Sequence, residues 1–525
     1  MMASNGVVAC GHAETARAAR AVLADGGNAF DAALAAMCAA TVAEPMLASL
    51  GGGGFLLARP VTGRLQGRTV AYDFFVQTPL HRRQDGAEDF FAIDADFGPT
   101  TQQFHIGLGS VATPGAIRGL FEIHRDLGFM PLRRVVEPAA TLARDGVTID
   151  AMQAYVFGVL RAMLDSRDGI RRHYTRPQAP GMPLREGDRL RLPELADTLE
   201  ILAIEGDDLF YRGEIARTIA EDCQAGGGHL TRADFAAYQG IRRRPLERAA
   251  FDRRLMLNPP PSAGGILIAF ALELLRDAEL GRLGFGTPPM LERLVRALAL
   301  TQRARVESRL HALDAGSVAG TLLDPALLAR YRQQVLGQPP ALRGTTHISV
   351  VDSAGNVASL SLSNGEGSGY VVPGTGIILN NMLGEEDINP HGLGSWPTNT
   401  RMSSMMAPTL VLADDGTTMA LGSGGSNRLR SAILQVALNL LVFGMPAERA
   451  VASPRLHLEE NRLSLEPGFP DEAVASLARA KPTWEIDRWP APNLFFGGVH
   501  VACRGSDGQL SGAGDARRAG TALLA

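Results

Sequence analysis

The stretch Arg343-Gly344-Thr345-Thr346-His347-Ile348-Ser349-Val350-Val351-Asp352 sets two hydroxyl residues at the border between a loop and a strand. Gly337, Pro339, Pro340 and Gly344 mark the loop, and Ile348 to Val351 marks the strand, which runs out at Asp352-Ser353-Ala354-Gly355-Asn356. A threonine here has a chemical option closed to one in mid-strand. Were the Gly344–Thr345 bond cut, Thr345 would carry a free α-amino group beside its own hydroxyl, uniting nucleophile and general base in one residue. An α-amine titrates near ~7.7–8.0 and a lysine near ~10.4, so the amine can accept a proton at neutral pH. Taken alone, the pattern fits an ordinary strand start far better than a self-activating nucleophile.

Thr346–Asp352 and Val357–Ser363 read as a hairpin with period-two alternation. Upstream, Pro288 to Leu336 carries apolar residues every three or four positions, a helical pattern. At the other end a short strand through Val7-Val8-Ala9-Cys10 precedes a helix over Ala13 to Ala24, stopped by Gly26-Gly27-Asn28. The alanine-rich Asp31 to Ala43 predicts a buried helix. Gly51 to Gly54 leads into Phe55-Leu56-Leu57-Ala58, read as a tight, closely packed turn entering a buried strand. A phosphate loop would end in Gly-Lys-Ser/Thr or open a helix, and this one does neither. Mixed α and β with a large core is the class these residues support.

With 525 residues, 46% hydrophobic and 20% charged, the chain has ample material for a core. A formal net charge of −4 gives no reason to expect nucleic acid or an anionic membrane as partner. The short runs Arg242-Arg243-Arg244 and Arg517-Arg518 read as solvated faces or loop ends. Lys481 is the single lysine and precedes Pro482, which argues against Schiff-base and Walker-type phosphate chemistry. Cys10, Cys38, Cys223 and Cys503 lack C-x-x-C spacing and read as buried thiols, so no metal or cofactor is called for. Nor does any apolar run reach the ~18 residues of a membrane span.

The segment Thr-Thr-His-x-Ser-Val-Val-Asp at 345–352, with Pro373-Gly374-Thr375-Gly376-Ile377-Ile378-Leu379-Asn380-Asn381 beyond it, resembles the γ-glutamyltransferase family of N-terminal-nucleophile hydrolases. Similar landmarks recur at Gly26–Ala33, Glu44-Pro45, Gly51–Phe55, Gly109–Gly115, Glu137-Pro138-Ala139, Leu142–Gly146, Phe210–Gly213 and Pro259–Gly265, so the resemblance spans nearly the whole chain. It implies an α+β fold, a four-layer αββα sandwich formed jointly by two subunits. It also implies self-cleavage between Gly344 and Thr345, giving a large subunit of 1–344 and a small one of 345–525 that stay associated. A homodimer of that heterodimer is left open. Thr345 becomes the nucleophile. A second hydroxyl eighteen positions on is Ser363, with Ser361 as the alternative. Ser403 and Ser404 match the family's substrate-carboxylate contact. Gly424 and Gly425, or Gly425 and Ser426, match the glycine pair of its oxyanion hole, whose loss of one donor costs about 2.7–4 kcal/mol in well-studied hydrolases. Secreted relatives begin with a signal peptide. This start shows none, so a cytoplasmic protein is expected.

Two departures bear on substrate. The family arginine that clamps a glutamyl α-carboxylate has no counterpart in Asp73-Phe74-Phe75-Val76-Gln77-Thr78-Pro79, and no neutral residue replaces a bidentate arginine. The acid that receives the substrate amino group becomes Glu385 in Gly384-Glu385-Glu386-Asp387, one methylene longer. The expected reaction is therefore cleavage or transfer of the acyl group of a γ-glutamyl or related small amide, with water or an amine as acceptor. The amidase and acylase branch, acting on oxamate-like or glutaryl-cephalosporin-like substrates, is the alternative. An inactive binding scaffold is the non-enzymatic reading. A conventional serine hydrolase would need Gly-x-Ser-x-Gly, which is missing.

Overall fold

Two antiparallel sheets carry the molecule in the computed structural model, which describes residues 4–83, 86–96, 101–307, 322–324, 345–389, 392–425, 428–459, 461–480 and 482–525. The first has seven strands in the order Ile241–Arg243, Val70–Phe74, Gly53–Arg59, Val357–Ser363, Thr346–Asp352, Gly6–Cys10 and Thr521–Leu524. The second has six, in the order Leu246–Ala250, Arg253–Leu257, Thr409–Leu412, Thr418–Gly424, Gly498–Arg504 and Leu510–Ala513. Strand alternation explains how they meet. Val7, Val351 and Val357 pack into a seam with Met256, Leu410 and Ala420 of the second sheet. Their chain neighbours Val8, Val350 and Ala358 face the other way, into a core shared with the helices Ala13–Ala24 and Ala29–Ala43. On the far side, Ala263–Leu275, Pro288–Glu307 and Arg428–Leu441 bury residues with Leu255, Val411, Leu421 and Val499. The two hairpin strands are buried along their whole length, and their polar side chains His347, Ser349, Ser359 and Ser361 lie within hydrogen-bonding distance of one another.

The alanine-rich helix is buried along all fifteen residues and begins at Ala29, two positions before the expected start. Asn28 is the reason. Its side chain accepts from the N–H groups of Phe30 and Asp31, while the Asp31 carboxylate accepts from Asn28 N–H, closing a capping box. The glycine turn before Phe55 is packed as tightly as expected. A β-carbon on Gly51 would stand 2.2 Å from the Ile378 carbonyl oxygen, and one on Gly52 2.4 Å from that of Ser363.

Of the helical reading over 288–336, the helix Pro288–Glu307 is present, and most of the remainder lies outside the described residues. Gly344, Ser426 and Lys481 also lie outside them. The four cysteines are buried free thiols. Among the described residues, no helix is long and apolar enough to cross a membrane.

Arg243, Arg517 and Arg518 depart from the sequence reading, while Arg242 and Arg244 are exposed as expected. Arg517 binds Glu466 (2.5 Å) and Asp515 (3.2 Å) with its side chain 4% exposed, and Arg518 is equally withdrawn. Arg243 turns inward to Asp73 at 2.7 Å. A buried guanidinium persists only where carboxylates and carbonyls surround it, and those partners come from distant sequence.

Candidate active site

Thr345 stands one residue ahead of the Thr346–Asp352 strand and is 5% exposed. The hairpin pairs Thr346 with Leu362 and His347 with Ser361, so the same register carried one step places Ser363 across from Thr345. Ser361 instead faces His347, its Oγ 2.8 Å from the imidazole Nδ1. The Nε2 of His347 lies 3.0 Å from Ser349 Oγ, and burial holds the His347 pKa well below the ordinary value. Ser363 Oγ accepts from Gly365 N–H at 3.1 Å.

Gly424 ends a strand of the second sheet and abuts the start of the Thr345 strand. A β-carbon there would lie 2.1 Å from the Thr345 carbonyl oxygen, so only glycine fits this approach. Gly425 has φ +119°, a conformation open to glycine, and faces the Arg518 guanidinium. Arg518 Nη1 donates to the Thr345 carbonyl at 3.3 Å, and burial pulls its pKa down to about 10, leaving it charged at neutral pH.

Glu385 is buried between two short 3₁₀ turns, Met382–Gly384 and Glu386–Ile388. It flanks Gly365, where a β-carbon would stand 2.7 Å from Glu385 Oε1, so Ser363, Gly365 and Glu385 form one group. Ser403 donates to the Pro261 carbonyl (2.9 Å) and Ser404 Oγ accepts from Met406 N–H (3.1 Å). The Ser404 carbonyl accepts from Ala263 N–H at 2.8 Å and Ser262 Oγ at 2.9 Å, tying the serine pair to the Pro259–Gly265 segment.

A pocket opens beside Thr345, with Thr346, Gly424, Glu44, His12, Asp150 and Arg518 around it and Met46, Leu47, Val156 and Phe157 as apolar wall. Ser363, Glu385, Ser403 and Ser404 are not among its lining residues. Glu44, His12, Asp150 and Arg518 were not identified as site residues from sequence. Glu44-Pro45 was visible only as a landmark, and Arg518 carried the signature of a surface charge.

Where the family arginine would stand, Phe75 and Val76 are buried in an apolar cluster with Phe55, Met382, Trp396, Met402 and Met405. Sequence reasoning also missed an arginine from the other half of the chain. Arg401 donates to the Phe75 carbonyl and the Tyr238 hydroxyl, reaches the Gln239 carbonyl at 2.5 Å and lies 3.7 Å from Asp73. Its charge is thereby committed to the protein's own oxygens.

Residues 15–525 match the family model of gamma-glutamyltranspeptidase. The chain belongs to that family, and it is an enzyme of the self-processing, N-terminal-nucleophile type. It is 30% identical to the glutathione hydrolase proenzyme of Escherichia coli (strain K12), over 98% of this chain and 91% of that protein. It is 31% identical to the acylase ACY 1 proenzyme of Pseudomonas sp. (strain SE83), over 99% and 93%. Among solved structures it is similar to the cephalosporin acylase from Bacillus halodurans, with a TM-score of 0.83, 25% identity, and coverage of 99% and 96%.

Proposed function

We propose that the precursor cuts itself between Gly344 and Thr345, leaving a large subunit of 1–344 and a small one of 345–525 whose first residue is the nucleophile. The Thr345 hydroxyl attacks the Gly344 carbonyl, the amide becomes an ester, and water cleaves it. In the mature enzyme the α-amine of Thr345 takes the hydroxyl proton as that oxygen attacks a substrate amide, and the proton passes to the departing amine. The acyl-threonine ester is then resolved by water or an acceptor amine. Ser363 supplies the second hydroxyl, the N–H groups of Gly424 and Gly425 receive the developing oxyanion, and Glu385, Ser403 and Ser404 hold the substrate. The observation carrying this reading is the convergence of Ser363 and Gly424 on Thr345 from two different sheets. The two facing sheets and their helical covers are read as the four-layer αββα sandwich of this superfamily, built from both subunits.

The substrate in this reading is a γ-glutamyl or related small amide. One observation favours the acylase branch, an acyl group without an α-carboxylate. Phe75 and Val76 sit in an apolar cluster at the clamp position, and Arg401 is committed to Phe75, Tyr238 and Gln239. The glutathione hydrolase and the acylase are similar to this chain to nearly the same degree, so overall likeness does not decide between them.

On a denaturing gel the purified protein should give pieces of about 36 and 19 kDa, the 55.7 kDa chain divided in the ratio 344 to 181, and Thr345→Ala should stay whole. N-terminal sequencing of the smaller piece should begin Thr-Thr-His. An uncut wild-type chain that still turns over substrate would overturn the mechanism. A release assay comparing γ-glutamyl anilide with glutaryl anilide separates the branches, and faster release from the glutaryl compound is expected.

A further inference from the structure

Glu44 caps the C-terminus of the buried helix Ala29–Ala43, its N–H bonded to the Ala40 carbonyl. Its carboxylate is withdrawn from solvent and has two hydroxyl donors, Thr15 Oγ1 at 2.9 Å on one oxygen and Thr346 Oγ1 at 2.7 Å on the other. Three elements of remote sequence therefore meet at one carboxylate: the first helix, the end of the second, and the strand that begins at Thr346. Gly11 leaves room for the contact, since a β-carbon there would stand 2.6 Å from Glu44 Oε2 and 3.1 Å from Thr346 Oγ1.

Burying a carboxylate is unfavourable unless its bonds are made, and an apolar residue would fill the space at less cost. What the carboxylate adds is direction. Arg518 holds the carbonyl of Thr345, and Glu44 holds the side chain of the next residue. Two buried side chains thus hold the chain on either side of the 345–346 junction, one at the carbonyl of Thr345 and one at the hydroxyl of Thr346. Charge-assisted bonds are shorter and stronger than neutral ones, and an ångström of misplacement at a nucleophile can cost a hundredfold in rate. Burial raises the Glu44 pKa, while His12, the two threonine hydroxyls and Arg518 pull it back.

We infer that Glu44 is a positioning residue for the reaction: through Thr346 it sets the direction in which Thr345 presents its hydroxyl to Gly344 during self-cleavage and to substrate afterwards. This rests on Thr345 being the nucleophile. Glu44 acts through its neighbour, so its loss should slow the chemical step more than it weakens substrate binding.

The test uses the full-length precursor in four variants: Thr346→Val, which keeps the shape without the hydroxyl; Thr346→Ser, which keeps the hydroxyl; Glu44→Gln, which keeps the shape without the charge; and Thr345→Ala. Cleavage rates are read on gels, and kcat and KM with an anilide substrate. Thr346→Val and Glu44→Gln should cleave at least tenfold more slowly and lose at least tenfold in kcat with KM within twofold. Thr346→Ser should stay within threefold of wild type in both. Should Thr346→Val fail to fold, Glu44→Gln decides the matter. Wild-type cleavage and turnover in Glu44→Gln would overturn the inference, as would equal impairment of Thr346→Ser and Thr346→Val. Cleavage of Thr345→Ala at the wild-type rate would instead overturn the nucleophile assignment, a separate outcome.

Discussion

Gly424 shows how one residue can couple two sheets. Its α-carbon lies so close to the Thr345 carbonyl that an added methyl group, 2.1 Å from that oxygen, must push the start of the strand aside. The neighbour here is backbone, which cannot swing away as a side chain can. Gly424→Ala should therefore fold and yet lose at least about a hundredfold in kcat, the order of effect seen when one oxyanion donor is removed. Stopped self-cleavage with a native circular-dichroism spectrum would agree; wild-type turnover would not. The glycine pair was legible through its resemblance to the family motif. The charges that serve the same site were not. Arg518 and Glu44 reach the strand from the two ends of the chain, and no local pattern says that either is buried.

The hairpin was the most readable element, since polar and apolar residues alternate through Ile348-Ser349-Val350 and Ser359-Leu360-Ser361-Leu362-Ser363 and its connecting turn is short. What the sequence left open was which serine faces the nucleophile, because Ser361 and Ser363 share a parity. Register separates them: Ser361 opposes His347, and Ser363 falls opposite Thr345. The two alanine variants should accordingly differ in kind. Ser361→Ala removes the partner 2.8 Å from His347 Nδ1 and should lower the unfolding free energy by about 1–3 kcal/mol, with kcat within threefold of wild type. Ser363→Ala leaves the Gly365 N–H without its acceptor and should lower the urea midpoint as well, but it alone should lower kcat by at least tenfold. Exchanged phenotypes would mean that Ser361 is the hydroxyl in use.

Across the whole molecule, buried titratable groups give stability a sign with pH. Burial lowers the pKa of His347, His457 and His229, and brings His500 to about 4. Below the ordinary histidine value of ~6.5 the unfolded chain takes up protons that the folded one refuses, so stability drops as the solution acidifies, by about 1.4 kcal/mol per pH unit for each fully affected histidine. Burial of Glu44 and Asp31 raises their pKa values and acts in the opposite sense, but they are two groups against four. Melting temperature should therefore fall between pH 7 and pH 5. A flat or rising profile would contradict the burial of these imidazoles.

The interleaving of the first sheet has a consequence for how the protein is made. Its earliest strand, Gly6–Cys10, lies between Thr346–Asp352 and Thr521–Leu524, and the Ser4 hydroxyl bonds to the carbonyl of the terminal Ala525. A ribosome releasing residues in order delivers both of that strand's neighbours long after the strand itself, Thr521–Leu524 later than Thr346–Asp352. The nascent chain must hold an apolar ribbon unpaired until Thr346–Asp352 emerges, and contacts so distant in sequence form slowly.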